Sequence, residues 1–376
     1  MTNLSKAVFP WDDRDSDISQ RTLDHTLAFM QKSDLWDGIL PYAKSTNFFI
    51  PGKGVQYPDC GSIKARGCGN ISVHPGRQVF VRYYKQTCMR KTCPVCFESW
   101  CSHEAQRALV RVATWVCGKE FVETCFRRAR DEASGKSNRI FHERFVSLLE
   151  KGFKRDRPGH GFNRPIHVVY SPEQDLLVDG SNYAELREEI YRIAKKSGLF
   201  GGCAVFHPYR LKCRRCGKAI PDYQKRCSCG SDRFSWNKGP HFHIVGFGFI
   251  RGTKEIYESY GCVVRNLGVR RSVFWTLQYL LSHAGVFQDS NPRIKDRKSF
   301  HVVTWFGRLS YNKLSVESFE SPKDVCPYCE LRLEPFEFVG GLDRPPPEPS
   351  SECVGDTCFL DEPYRWRPVM GGVSRC

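Results

Sequence analysis

Short cysteine pairs constrain this chain more than any other feature. In LKCRRCGKAIPDYQKRCSCGSDRF, Cys213 and Cys216 are followed by Cys227 and Cys229. Tetrahedral zinc takes four thiolates, and two short knuckles separated by one loop deliver them to a single point. A zinc ribbon is therefore predicted as an insertion at about 211–232. A second group lies in DCGSIKARGCGN and QTCMRKTCPVCFESWCSHE, where Cys93 and Cys96 form a knuckle. Cys68, Cys88, Cys60, Cys101 and His103 compete to complete that site, and Cys68 and Cys88 are the chosen pair. A third knuckle, Cys326 with Cys329, is expected to join Cys353 and Cys358 across the Pro-rich stretch LDRPPPEPSSE. Cys117, Cys125, Cys203, Cys262 and Cys376 lack evident partners and read as buried thiols.

Nineteen cysteines would also suit a disulfide framework, yet these come as CxxC pairs, and the N-terminal MTNLSKAVFPWDD lacks a signal-peptide core. A reducing, cytoplasmic setting is expected. Lysine and arginine exceed aspartate and glutamate by 57 to 41, a formal +16, which favours a polyanionic partner, nucleic acid being the simplest. A membrane is not expected, because no apolar run approaches the roughly 20 residues of a spanning helix. The basic run PRIKDRK at 292–298 reads as a solvated loop or a phosphate contact.

Periodicity sets out the rest. LDHTLAFMQK is a predicted short helix, RQVFVRYYKQ a strand, and about 98–151 is helical, with apolar positions every three or four residues. PIHVVYSP opens a strand-rich region. YAELREEIYRIAKKSG is an amphipathic helix ended by Gly198, and GGCAVFHPYR and HFHIVGFGFI are strands flanking the ribbon. YESYGCVVRNLG reads as a polar stretch and HVVTWFGRLSY as a late strand. The fold class is α+β: an antiparallel sheet with covering helices and zinc-binding insertions. The expected domains are 1–155, zinc-binding and helical; 156–310, the sheet domain carrying the ribbon; and 311–376, a Cys/Pro-rich tail.

Chemistry concentrates in KGPHFHIVGFG. His241 and His243, two apart on a strand, point to one face and can bind one divalent cation, while Phe242 turns into the core. Downstream, in SVFWTLQYLLSHAG, Ser272 reads as an N-cap and Gly285 as the stop of a helix whose Trp275, Tyr279 and His283 share a face. Tyr279 would be presented toward the metal-bearing sheet, with His283 to orient or deprotonate it. An HxH pair alone is often a structural hydrogen-bonded pair, and a tyrosine in a leucine-rich helix is often core. Their co-occurrence in this order favours a site.

Over roughly 160–290, about a third of the chain, HVVYSP, GCAVFHPYR, GPHFHIVGFG and YLLSHAG fall in the order used by HUH-type rolling-circle replication initiators. The sequence resembles those of small archaeal plasmids and viruses. The resemblance implies a ferredoxin-like or RNA-recognition-like nuclease core. It also implies Mg²⁺ or Mn²⁺ on His241 and His243 and Tyr279 as nucleophile, with His207 of the neighbouring strand either the third ligand or, preceding Pro208, a cap on the strand end. A phenol ionises near pH about 10, so the cation, with His283, must favour the phenolate. The implied product is a 5′-phosphotyrosine and a free 3′-hydroxyl on single-stranded DNA at a replication origin. Ser282 stands where the family often has lysine and Trp275 where a second tyrosine can fall, so one tyrosine is implied. Arg210, Lys238, Arg270 and Arg271 are candidate DNA contacts, and His167 faces either the core or the DNA.

GKS at 135–137 lacks the glycine of a phosphate-binding loop, so a host helicase and polymerase are the expected partners. The competing classes are an HUH transposase or relaxase, which differs in substrate rather than residues, and a non-catalytic zinc-stabilised nucleic-acid-binding protein. A zinc hydrolase would need an HExxH arrangement, and none is present.

Overall fold

A computed structural model describes residues 48–54, 56, 60–133, 138–153, 164–172, 183–220, 226–270, 272–287, 301–316, 325–338, 357–360 and 366–368. LDHTLAFMQK, GKS, the basic run at 292–298, Arg271, Cys353 and Cys376 lie outside them. The strands are β1 (Phe48–Phe49), β2 (Ile63–Cys68), β3 (Val79–Lys85), β4 (Ile166–Ser171), β5 (Leu199–Cys213), β6 (Phe234–Gly248), β7 (Val263–Val269), β8 (Val286–Phe287), β9 (Val303–Gly307), β10 (Glu334–Phe338), β11 (Thr357–Leu360) and β12 (Trp366–Pro368). The α-helices are α1 (Phe97–Cys117), α2 (Lys119–Glu132), α3 (Asn138–Phe153), α4 (Tyr183–Lys196), α5 (Thr253–Tyr260) and α6 (Val273–Ser282).

The central sheet is antiparallel, in the order β7-β4-β6-β5-β9. Both of its faces are covered, which explains why IHVVYS on β4 is apolar without alternation. On one face Cys203, Val205, Val245 and Phe247 pack with α1, α2, α3 and α6. On the other, Val168, Tyr170, Ala204, Phe206, Phe242 and Ile244 meet Tyr183, Leu186, Ile190 and Ile193 of α4. Phe242 is fully buried there, in keeping with the strand alternation.

The helices of 97–153 thus share a core with the sheet and with α6. The late strands are equally entangled with early ones. A second antiparallel sheet runs β11-β3-β2-β10-β12, so segments at 334–338, 357–360 and 366–368 complete a sheet begun at 63–85.

The stretch read as polar, YESYGCVVRNLG, contains the end of α5 and most of β7. β7 is an edge strand with mostly exposed side chains, so no apolar alternation marks it. Among the described residues no helix is long and apolar enough to cross a membrane.

Candidate metal centre and tyrosine helix

The register of β5 on β6 sets His207 opposite His241. Directly paired residues point to one face and His243 lies two further on, so the three imidazoles converge. Their ligand nitrogens all lie within 4.8 Å of one another. The register of β4 on β6 brings His167 to the same face, opposite Val245 and beside His243.

Hydrogen bonds engage one nitrogen of each ring and, where the partner is a carbonyl, fix where the lone pair lies. His207 Nε2 donates to the Leu280 carbonyl at 2.8 Å, which puts the lone pair on Nδ1, a buried atom with no hydrogen-bond partner. His241 Nδ1 donates to the Gly239 carbonyl at 2.8 Å, directing Nε2 inward. His243 Nδ1 lies 2.8 Å from His167 Nε2, leaving Nε2 of His243 as the ligand atom. Metal-binding histidines characteristically engage their second nitrogen in this way.

Burial pushes the pKa values of His207, His241 and His243 well below the usual histidine range, and neighbouring charges add to it: His283 and His241 beside His207, Arg210 beside His241, His207 and His241 beside His243. His167 is pulled down to about 3 by burial and by Arg270. All four imidazoles are neutral at physiological pH, the form a cation needs. An orphaned Nδ1 and three lone pairs aimed at one point fit a divalent metal.

α6 carries Tyr279 to this cluster. Ser272 Oγ accepts from the Trp275 amide at 3.1 Å, forming the N-cap, and itself donates to Glu150 Oε1 at 2.8 Å. Glu150 also accepts from the Phe274 amide at 3.0 Å, so a carboxylate from α3 sits on the positive end of α6. The helix ends at Ser282, earlier than the stop expected at Gly285. Gly285 instead fastens the exit of α6 to the sheet. Its amide donates to the Phe206 carbonyl at 2.7 Å, and a Cβ there would lie 2.9 Å from Pro208 Cδ. Only glycine lets the chain leaving α6 lie this close to β5.

That docking sets rings edge to face in series. The Tyr279 and His283 centroids are 4.8 Å apart, and those of His283 and His207 are 4.3 Å apart. Ser282 Oγ donates to the Tyr279 carbonyl at 2.7 Å and so accepts from His283 Nδ1 at 3.1 Å, which puts the His283 lone pair on Nε2. Tyr279 and His283 are both half-buried.

Two arginines bracket the cluster. Arg210 lies near His241 and donates to Ser171 Oγ at 2.6 Å. Arg270 lies near His167 and donates through Nη2 to the Leu267 carbonyl at 3.3 Å. Lys238 is half-buried on β6 opposite Tyr209. Spacing alone assigns no site role to His167 of HVVYSP or to Ser282 of YLLSHAG.

The cysteines gather as groups that could hold a metal such as zinc. Cys213, Cys216, Cys227 and Cys229 meet at the tip of the β5–β6 hairpin, the grouping expected from their spacing. Cys93 and Cys96 are completed by Cys60 and Cys88, which corrects the choice of Cys68. Cys68 instead joins His74, Cys326 and Cys329, while the expected partners Cys353 and Cys358 lie outside the residues whose side chains are described. Cys101 is buried on α1, where burial raises its thiol pKa well above the usual range, and His103 is exposed. Cys117, Cys125, Cys203 and Cys262 are buried thiols of the core.

Comparison of the chain with protein-family models, with curated proteins and with solved structures returns no match.

Proposed function

We propose that the chain is a metal-dependent, tyrosine-nucleophile DNA nuclease of the HUH type that initiates rolling-circle replication. The observation that carries this reading is the convergence of His207, His241 and His243 within 4.8 Å, joined through the His283 ring to Tyr279. His207 through Nδ1, and His241 and His243 through Nε2, would hold Mg²⁺ or Mn²⁺. Bound there, the cation supplies Lewis-acid polarisation of a scissile phosphate oxygen.

The chain's own groups do the rest. Arg210 and Arg270 offer positive charge on either side of the histidine face, suited to the flanking phosphates of a single strand. His283, held by Ser282 with its lone pair on Nε2, takes the phenolic proton of Tyr279. The phenolate attacks phosphorus in line, the P–O3′ bond breaks, and the His283 imidazolium gives its proton to the departing oxygen, leaving a 5′-phosphotyrosine and a free 3′-hydroxyl. The hydroxyl primes copying. The covalent bond conserves the energy for rejoining. The cysteine groups fit structural Zn²⁺.

The test is incubation with end-labelled single-stranded origin DNAs and Mn²⁺, comparing wild type with Tyr279→Phe on a denaturing gel. A covalent protein–DNA adduct absent from the variant supports the reading. Binding without an adduct across several sequences sinks it in favour of a zinc-stabilised binding protein.

A further inference from the structure

We propose that Cys68, His74, Cys326 and Cys329 bind one zinc ion that clasps two segments lying far apart in sequence into a single module. This site is independent of the histidine face. Cys68 Sγ lies 3.4 Å from Cys329 Sγ, and Cys326 Sγ lies 3.3 Å from His74 Nε2. A disulfide would need sulfurs about 2.05 Å apart. Around tetrahedral zinc, with Zn–S about 2.3 Å and Zn–N about 2.05 Å, ligand edges are about 3.8 Å for sulfur to sulfur and about 3.6 Å for sulfur to nitrogen. The observed separations stand close to those edges. His74 Nδ1 donates to the Gln78 carbonyl at 2.9 Å, so its lone pair is on Nε2, the atom facing Cys326. Cys68, His74 and Cys326 are buried.

The knuckle turn supplies a second, separate argument. In the ribbon, the Gly217 amide donates to the Cys213 carbonyl at 2.9 Å and the Cys213 amide to the Lys218 carbonyl at 2.9 Å, with Gly217 left-handed at φ 71°. Around Cys326 the same pair recurs at the same spacing: Glu330 amide to Cys326 carbonyl at 2.9 Å, Cys326 amide to Leu331 carbonyl at 2.8 Å. Here the left-handed residue, at φ 57°, is Glu330. A non-glycine residue persists in that conformation only where its surroundings over-determine it, and closure of a ligand knuckle does so.

The location gives the clasp its role. Cys68 is the last residue of β2, and β2 pairs with β10, Glu334 opposite Gly67 and Phe336 opposite Ala65. Cys329 precedes β10 by a short turn, so the ion would pin the end at which these strands begin to pair. Strand pairing between such distant segments carries a loop-closure cost that a bound metal offsets.

The test is the zinc content of the purified full chain. Cys68→Ser and Cys326→Ser should each lose about one equivalent, and the double variant no more than either alone, since both serve one ion. Cys68→Ser combined with Cys88→Ser should lose about two. A Cys68/Cys326 double variant that loses two equivalents, or single variants that lose none, overturns the clasp. Should serine variants fail to fold, His74→Cys keeps four ligands: in the cobalt-substituted protein it should add thiolate-to-metal charge-transfer absorption at unchanged metal content. An unchanged spectrum overturns the assignment of His74.

Discussion

His207 Nε2 donates to the carbonyl of Leu280, the residue after Tyr279. One hydrogen bond therefore orients a candidate metal ligand and anchors the helix that presents the candidate nucleophile. Replacing His207 with alanine should weaken Mn²⁺ binding by at least about 100-fold, with one of three ligands gone, and leave a buried carbonyl unpaired at about 1–3 kcal/mol. Manganese titration followed by electron paramagnetic resonance, with a thermal melt alongside, checks both. Unchanged affinity would remove His207 from the metal site.

His167 reaches the candidate ligands through its hydrogen bond with His243. His167→Phe should leave the strand's packing near its present volume while the orientation of His243 is lost. We expect a fall of about 10–100-fold in Mn²⁺ affinity. Partial recovery by His167→Gln, which retains hydrogen-bonding capacity, would mark a positioning role; equal affinity in all three proteins would refute it.

Gly285→Ala places a methyl 2.9 Å from Pro208 Cδ, 3.1 Å from Phe206 Cδ1 and 3.2 Å from Phe48 Cδ1. Overpacking of that kind costs about 1–3 kcal/mol. Because the strain lifts the exit of α6 off β5, adduct formation should fall further than the melting temperature alone explains. Single-turnover cleavage measured well below the melting transition would reveal this, and a normal rate there would count against it.

Glu132 accepts from Arg144 and from Arg128, the latter at 2.7 Å, and these bonds hold its carboxyl down to about 2 from a usual 4.5. A depressed carboxylate stabilises the fold above its unfolded pKa, and the contribution fades as pH falls toward the folded value. Relative to Glu132→Gln, the wild type should be more stable at neutral pH and lose that advantage from about pH 4.5 downward. Melts of both proteins between about pH 7 and pH 3 measure it, and parallel curves would show that the two ion pairs of Glu132 contribute nothing.

Local spacing is legible wherever ligands lie close in sequence. The strand period puts His241 and His243 on one face, helical period and cap place Tyr279, and two knuckles in one hairpin form the ribbon. His207 is within reach of the same reasoning because its strand is the hairpin partner of the first pair. Closure at long range leaves no such trace. His74 sits in no motif, and it meets Cys326 where β2 pairs with β10, far from it in sequence. Cys68 misleads for the same reason: by spacing alone, the nearer knuckle is the better partner. β7 has no signature because an exposed edge strand has no buried face to alternate against.

Glu150 of α3 grips the first turn of α6 through Ser272 Oγ and the Phe274 amide. The tyrosine helix is consequently capped by a residue from the helical layer that precedes the sheet in sequence. A fragment cut near residue 156 would be an amputation. It would bare Leu277, Leu280 and Leu281, strip the helix of its borrowed carboxylate, and leave α6 held from the sheet side alone, through Leu280 and Gly285. The layer made of residues 97–153 is the jig in which α6 is set, and any shortened form of this chain made to test the proposed chemistry has to carry it along.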